Sequence, residues 1–233
     1  MADRRLDPPR SMPTYAVRAP LVRWLAEEAR RAHAELGRYR VLDVGCGVKP
    51  YAPLFTPYAD AYVGVDPVES VHAELRGAVE DLPVEDASFD VVLCNQVLEH
   101  CEDPARAVAE LRRVTAPGGR VLASTHGVMV FHPSPADHWR WTHTGLEKLF
   151  AESASWASVR VTAASGTTAC LAMIGSLYLD LALHQVGLRQ LASPLVAAAN
   201  ALAEAIDARS PRLREPGRGT LHANYHVVAE VGR

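Results

Sequence analysis

The sequence VLDVGCG, residues 41–47, is a short apolar run that stops at two glycines. Turn-forming residues bound the run on both sides, which is typical of a buried strand. Glycines at the end of a strand let the backbone come close to a ligand. In an open parallel sheet, ligands bind beyond the carboxyl ends of the strands. This stretch therefore predicts a first strand that opens onto a binding site.

The pattern of short apolar segments recurs along the chain. Further strands are predicted at residues 61–65, 75–79, 89–93, 120–124, 158–162 and 223–231. Helical spacing or helix-start signals predict helices at 20–36, from 103 onwards, and at 144–152, 169–186 and 194–208. Pro20 and Pro194 are expected at first helical positions, and Thr144 is expected to cap the third of these helices. Strands that alternate with helices favour an α/β fold with a parallel sheet.

The chain is long enough for one domain. Residues 1–18 are rich in Arg and Pro, and we interpret them as an N-terminal extension or a flap over a pocket. Residues 19–233 then form a single domain with a helical insertion at 166–222. The two apolar helices of this insertion are expected to cover the core and to wall an apolar substrate. A self-association face is the next interpretation, so a homodimer stays open.

Composition excludes several classes of protein. The chain has 233 residues, is 48% hydrophobic and carries a net charge of −3. This balance gives no electrostatic drive toward nucleic acid, so no nucleic-acid partner is expected. The four cysteines include no CxxC pair, which predicts a reduced, cytoplasmic protein. No signal peptide is recognisable at the N-terminus, and no membrane span is expected.

Asp66 directly follows the second predicted strand. A carboxylate there can accept hydrogen bonds from both hydroxyls of a ribose. A dinucleotide site would require a third glycine where this chain has Pro50, so an NAD site is disfavoured. A nucleotide-containing cofactor other than NAD fits the pattern better.

Four segments resemble the successive motifs of class I S-adenosylmethionine-dependent methyltransferases, in the ubiquinone/menaquinone-methyltransferase-like (type 11) subgroup. They are VLDVGCG (41–47), GVDP (64–67), VEDLPVEDASFDVVLCNQVLEH (79–100) and LRRVTAPGGRVLAST (111–125). The likeness extends to ADHWRWTHTGLEKLF (136–150). It implies a Rossmann-like seven-stranded sheet with the last strand antiparallel. It also implies S-adenosylmethionine as cofactor and methyl transfer as activity.

The resemblance also implies roles for particular residues. The first loop, with Asp43, Gly45, Cys46 and Gly47, would hold the methionine part of the cofactor. Asp66 and Pro67, at the end of the second strand, would bind the ribose, and Val79, Glu80 and Asp81 would lie at the adenine. Asn95, at the end of the fourth strand, would lie near the sulfonium. Ala78 stands where the family often has an aspartate for the adenine amino group. The link from Asp66 to Val79 is so short that the usual crossover helix is expected to be lost.

We interpret the acceptor as a small molecule, and its nucleophile as a hydroxyl in a biosynthetic pathway. A neutral hydroxyl must lose a proton as it attacks, and histidine is a suitable base. His126 is the first candidate because it follows the fifth strand, and His100 and His138 come next. For His100 a supporting role beside the cofactor is preferred. C- or N-methylation, and a non-catalytic protein that binds S-adenosylmethionine as a regulatory partner, are the alternatives.

The segment 126–143 is expected to line the acceptor pocket, because aromatic residues on a loop beyond a strand often do so. Trp139 or Trp141 should face the pocket. Asp137 and Arg140 either bind substrate or pair with each other. Four histidines lie in this segment, but their spacing and two prolines argue against a metal site, so no metal is expected. The predicted acceptor residues are Phe131, Asp137, Trp139, Arg140 and Trp141.

Overall fold

The computed structural model describes residues 4–233, apart from the side chain of Arg189. Seven strands and seven α-helices follow one another in the described part of the chain. In order they are α1 (Tyr15–Leu36), β1 (Tyr39–Val44), α2 (Ala52–Phe55), β2 (Ala59–Asp66), β3 (Leu75–Arg76), β4 (Phe89–Asn95), α3 (Pro104–Val114), β5 (Thr115–His126), α4 (His143–Ser153), β6 (Ser158–Ala163), α5 (Thr167–Gln185), α6 (Arg189–Arg209), α7 (Pro211–Arg214) and β7 (Asn224–Glu230). A 3₁₀ turn, Leu98–His100, follows β4.

The strands form one sheet in the order β3-β2-β1-β4-β5-β7-β6. Strand β7 is antiparallel to both β5 and β6, and the other neighbouring pairs are parallel. This confirms the predicted Rossmann-like sheet with its last strand antiparallel. The strand order reverses between β1 and β4, and a crevice at such a reversal is where ligands bind.

Alternate side chains of the central strands feed two apolar layers. Val41 and Val91 pack on the side of α1, against Leu25. Leu42 and Val92 belong to the other layer, which α3 and α4 cover. The three-layer packing fixes the strand ends, and with them the loops that carry the predicted site.

Helix starts differ from the sequence-based predictions. Pro20 and Pro194 each occupy the sixth position of a helix, because α1 begins at Tyr15 and α6 at Arg189. Each helix therefore tolerates a proline, which has no backbone N–H donor, in its interior. Sequence rules instead treat such a proline as the sign of a helix start. Helix α4 is capped by Thr142, whose hydroxyl accepts from the Gly145 N–H, rather than by Thr144. The expected loss of the crossover helix is confirmed, since the described residues 67–74 contain no helix.

Helices α5 and α6 form a hairpin between β6 and β7. The buried Asp207 of α6 accepts from the backbone N–H groups of Thr168 and Ala169, and so caps the start of α5. Gly166 allows this approach, because a Cβ there would lie 2.4 Å from Asp207 Cγ. By length and composition alone, Thr167–Gln185 and Gln190–Arg209 would each suffice to cross a membrane, which is weak evidence for a span.

Candidate functional site

The loop after β1 has the backbone shape that a close ligand requires. Gly45 and Gly47 have φ angles of +67° and +52°, a region that favours glycine. A Cβ on Gly45 would lie 2.4 Å from Val97 Cγ2, whereas a Cβ on Gly47 would meet only open space. Gly45 is therefore required by packing, and Gly47 leaves the loop open on its outer side.

Asp43 lies at the bottom of this loop and is buried. Its Oδ2 accepts a hydrogen bond from the Tyr62 hydroxyl at 2.7 Å. Burial raises the pKa of Asp43 to about 7, although Tyr62 and Lys49 oppose the shift. A buried carboxylate at this place provides a strong partner for a cationic group such as an ammonium.

Asp66 stands at the end of β2, facing the same loop. Its two carboxylate oxygens accept from the backbone N–H groups of Gly47 and Val68, each at 2.9 Å. A carboxylate offers about four lone-pair sites, so each oxygen retains capacity for one more donor. The side chain is thus held in place and can still accept two ribose hydroxyls.

The two amide atoms of Asn95, at the end of β4, differ in their hydrogen bonding. Its Oδ1 accepts from Ser124 Oγ at 3.0 Å. Among the described residues its buried Nδ2 has no hydrogen-bond partner. Such a group costs free energy unless something accepts from it, so its position points to a ligand.

A cavity of about 280 Å³ lies over the reversal between β1 and β4, and Asp66 is not among the residues that line it. The predicted residues Asp43, Gly45, Cys46, Gly47 and Asn95 line it, together with Arg5, Arg18, Pro50, Tyr51 and Gln96. The donors and acceptors fit a cofactor with an ammonium group and a polar chain. We refer to this space as the cofactor cavity.

The predicted adenine residues lie farther along the chain. Val79 is buried in the core, and Asp81 is exposed. Glu80 accepts from the Glu102 N–H at 2.9 Å, so it also fastens the segment after β4. Pro67 is exposed beside Asp66. None of these four residues lines the cofactor cavity, and their roles at the adenine stay predictions.

A second cavity of about 260 Å³ adjoins the first, and we refer to it as the acceptor cavity. Arg18, Tyr51 and Gln96 line both cavities and so form their common wall. The remaining lining residues of the acceptor cavity are Thr14, Val17, Leu21, Glu99, His100, His126, Met129 and His132. The start of α1 therefore lies over the site, as do Arg5 and Thr14 from the segment predicted as a flap. Residues 1–3 of that predicted segment lie outside the described residues.

Glu99 and Asn224 lie against the two ring nitrogens of His126, the first predicted base. Its Nε2 lies 3.3 Å from Oε1 of the fully buried Glu99, and its Nδ1 lies 3.4 Å from Asn224 Nδ2. Burial lowers the pKa of His126 to about 3 and raises the pKa of Glu99 to about 7. Because both ring nitrogens face protein groups, His126 is poorly placed to take a proton from a substrate.

His100 has one ring nitrogen committed and the other available. Its Nδ1 lies 2.7 Å from the Ala136 carbonyl oxygen, which can only accept, so Nδ1 carries the proton. Nε2 is then an acceptor on a half-buried ring that lines the acceptor cavity. Burial is also the main cause that lowers the pKa of His100. The geometry favours His100 over His126 as the base, which reverses the order expected from the sequence.

The remaining predicted residues serve to fasten the loop after β5. His138 is exposed and lies outside the acceptor cavity, 3.6 Å from a Glu102 oxygen. Trp139 donates from Nε1 to the Cys101 carbonyl and stacks on Trp141, with ring centroids 5.7 Å apart. Asp137 and Arg140 pair with each other through both carboxylate oxygens.

That an indole faces the acceptor stays a prediction, and among the described residues neither Trp139 nor Trp141 lines the acceptor cavity. Phe131, Asp137, Trp139, Arg140 and Trp141 do not line the acceptor cavity as the structure describes it, and Phe131 is 71% exposed. Each of the other four has a bond or a stacking partner within the loop or toward the core. From this segment, His126, Met129 and His132 reach the cavity instead.

One group of side chains has the spacing of metal ligands. His100, His132 and Asp137 each place one ligand atom within 4.8 Å of the others. Arg140 already occupies both oxygens of Asp137, and its positive charge opposes a cation there. We therefore retain the prediction that the site works without a metal.

Comparison with known proteins agrees with the geometry. A family model for a methyltransferase domain matches residues 42–123. A Mycolicibacterium smegmatis protein named as a probable S-adenosylmethionine-dependent methyltransferase is 40% identical over 114 residues, which are 45% of this chain and 44% of that protein. The malonyl-[acyl-carrier protein] O-methyltransferase of Erwinia billingiae is 32% identical over 126 residues, half of each chain.

The crystal structure of the YcgJ protein from Bacillus subtilis shares the fold, with a TM-score of 0.52. It has 17% identity and covers 90% of this chain and 98% of that one. Fold and site together define a class I methyltransferase domain. The match to residues 42–123 and the named relatives support an S-adenosylmethionine-dependent methyltransferase of this class. It spans about half the length of the curated relatives it matches.

Proposed function

We propose that the protein transfers the methyl group of S-adenosylmethionine to a hydroxyl of a small molecule. The observation that carries this proposal is the common wall of the cofactor and acceptor cavities. Arg18, Tyr51 and Gln96 line both spaces, so ligands in the two cavities would meet there. A non-catalytic binding protein would need only the first cavity. The O-methyltransferases among the relatives support an oxygen atom as the methyl acceptor.

Residues that line the cofactor cavity, together with Asp66, which is bonded to its loop at Gly47, fit S-adenosylmethionine. Asp43 would pair with its ammonium group, Asp66 would accept from its ribose hydroxyls, and Asn95 Nδ2 would donate to it. The bound cofactor would supply a methyl group on a positively charged sulfur, which needs no further activation by the protein. The protein must then align the acceptor oxygen and exclude water.

His100 supplies the remaining chemistry. His100 Nε2 would accept the proton that the acceptor hydroxyl loses as it attacks the methyl group that the bound cofactor would supply. The hydrogen bond from Nδ1 to Ala136 holds the ring in the tautomer that can accept this proton. His126 and Glu99 support the floor of the cavity without exchanging a proton with the acceptor.

Turnover with a panel of phenols, sugars and hydroxy acids tests this function, with S-adenosylhomocysteine as the measured product. We expect sustained product formation with at least one class of acceptor. The proposed activity is wrong if cofactor binds but the parent protein forms no product above a protein-free blank with any of them. A non-catalytic cofactor-binding protein would then be the better interpretation.

Asp66→Ala should weaken binding of S-adenosylmethionine by about 1–3 kcal/mol, because two ribose hydroxyls lose a charged acceptor. Titration calorimetry measures the change directly. Asp60→Ala is the matched control, since Asp60 is an exposed acid on the same strand, paired with Arg38. Equal affinities for Asp66→Ala and the parent protein would remove Asp66 from the site.

A further inference from the structure

The hairpin of α5 and α6 exposes an apolar surface that the methyl-transfer site does not use. From Thr167 to Ala203 the sequence contains only two charged residues, Asp180 and Arg189. Only 28% of the most apolar window of each helix is buried. A core helix of this composition would be mostly buried, so the hairpin presents unusual apolar area to its surroundings.

Each helix has two separate apolar faces. In α6 one face packs inward through residues such as Val196 and Ala203. Leu191, Leu195 and Leu202 follow at helical spacing on an adjacent face, and they are 46%, 49% and 63% exposed. In α5 the exposed face carries Leu171, Tyr178 and Leu181. The hairpin therefore still has an unpartnered apolar stripe on each helix after it has packed on the domain.

The turn of the hairpin is apolar as well. Val186 and Leu188, between the two helices, are 68% and 43% exposed. A second copy packed against the helix sides would leave these tip residues in water. A lipid surface would instead cover the tip and the stripes together.

A basic segment follows directly. Residues 209–218 carry Arg209, Arg212, Arg214 and Arg218 against one acid, Glu215, and all five side chains are exposed. Arginine beside an exposed apolar surface is the combination by which interfacial helices bind anionic lipids. A contact between two copies would bring the arginines of both copies together, and it would give them no negatively charged partner.

We propose that the hairpin, residues 167–209, docks the protein onto an anionic membrane surface, with the apolar tip and stripes in the interfacial layer and the arginines at the headgroups. The hairpin does not cross the membrane. Asn200 donates to the Arg10 and Met12 carbonyl oxygens, and Asp207 caps α5, so the inner face is tied to the domain by polar bonds. This inference does not depend on the proposed methyl transfer.

Vesicle co-sedimentation of the full chain tests the proposal. We expect binding to vesicles of phosphatidylcholine and phosphatidylglycerol in equal amounts, and much weaker binding to phosphatidylcholine alone. The double variant Val186→Glu, Leu188→Glu should lower partitioning at least about tenfold, because two apolar groups in the interface become charged. Val71→Glu is the matched control, since Val71 is 97% exposed on the loop between β2 and β3. Arg212→Gln with Arg218→Gln should abolish the preference for anionic vesicles.

Thermal unfolding checks that these surface variants keep the fold. Size exclusion with light scattering, without vesicles, tests the alternative that a second copy of the chain covers the hairpin. The proposal is overturned if the parent protein does not sediment with anionic vesicles, or if Val71→Glu reduces binding as much as the tip variant. It is equally overturned if the parent is a dimer that the tip variant converts to a monomer.

Discussion

His100→Ala should lower turnover about 10²–10⁴-fold while the affinity for S-adenosylmethionine stays nearly unchanged. The reason is that the alanine removes a ring nitrogen of the acceptor cavity that carries a lone pair, because the ring proton is on Nδ1. His100 Nδ1 stays bonded to Ala136, whereas His126 faces Glu99 and Asn224. Steady-state kinetics, with calorimetry for the cofactor, measure the two effects separately.

The pH profile adds a second readout. Burial lowers the pKa of His100 below the ordinary histidine value of about 6.5. The neutral, competent form therefore dominates at neutral pH, and kcat/KM should fall only when acid protonates the ring. His138→Ala is the matched control, because that histidine is exposed outside the cavity, and it should leave both rate and profile unchanged. A base role for His100 is contradicted if its alanine variant keeps the parent's rate and acid limb.

The ends of the strands were predictable because the pattern that marks them lies within a few neighbouring residues of the sequence. Gly45 and Asp66 each directly follow a predicted apolar run, and Asp43 lies within the first of these runs. The parallel arrangement of β1, β2 and β4 then brings such positions together without further information. The orphaned Nδ2 of Asn95 agrees with a site inferred in the same way.

The residues that line the acceptor cavity could not be predicted from local sequence patterns in this way. Arg18, Tyr51 and Gln96 come from three distant parts of the chain, and only the packing of α1 over the strand ends joins them. Gln96 gives a faint local signal, since it directly follows Asn95 at the end of β4. Arg18 gave none beyond its place before a helix.

Aromatic content alone does not decide the prediction for the loop after β5. Two tryptophans on a loop near a strand end suggest a pocket wall, but an indole also carries a donor that seeks a partner. Trp139 finds the Cys101 carbonyl, and Trp141 packs on the core. Composition cannot separate these outcomes, because the deciding acceptor lies nearly 40 positions earlier in the sequence.

Asp43→Asn should stabilise the empty protein at pH 8 and at the same time weaken cofactor binding. The folded carboxyl has a pKa of about 7 because it is buried, against about 3.9 in the unfolded chain. Between these values the folded state binds more protons, so the free energy of unfolding of the parent protein falls as pH rises, by up to about 1.4 kcal/mol per pH unit. Below the window both states are protonated, and above it the loss is complete.

The asparagine variant lacks this titration, so its melting temperature should exceed that of the parent increasingly from about pH 4 to pH 7, and by a constant margin above. Thermal unfolding across this range measures the gap. Affinity for S-adenosylmethionine should fall by about 1.5–3 kcal/mol, since a hydrogen bond to a charged acceptor is lost. Equal stability at pH 8 would contradict the buried charge, and equal affinity would contradict its role. Both effects together would mean that the empty site carries the cost of a buried carboxylate, and that a cationic ligand offsets this cost when it binds.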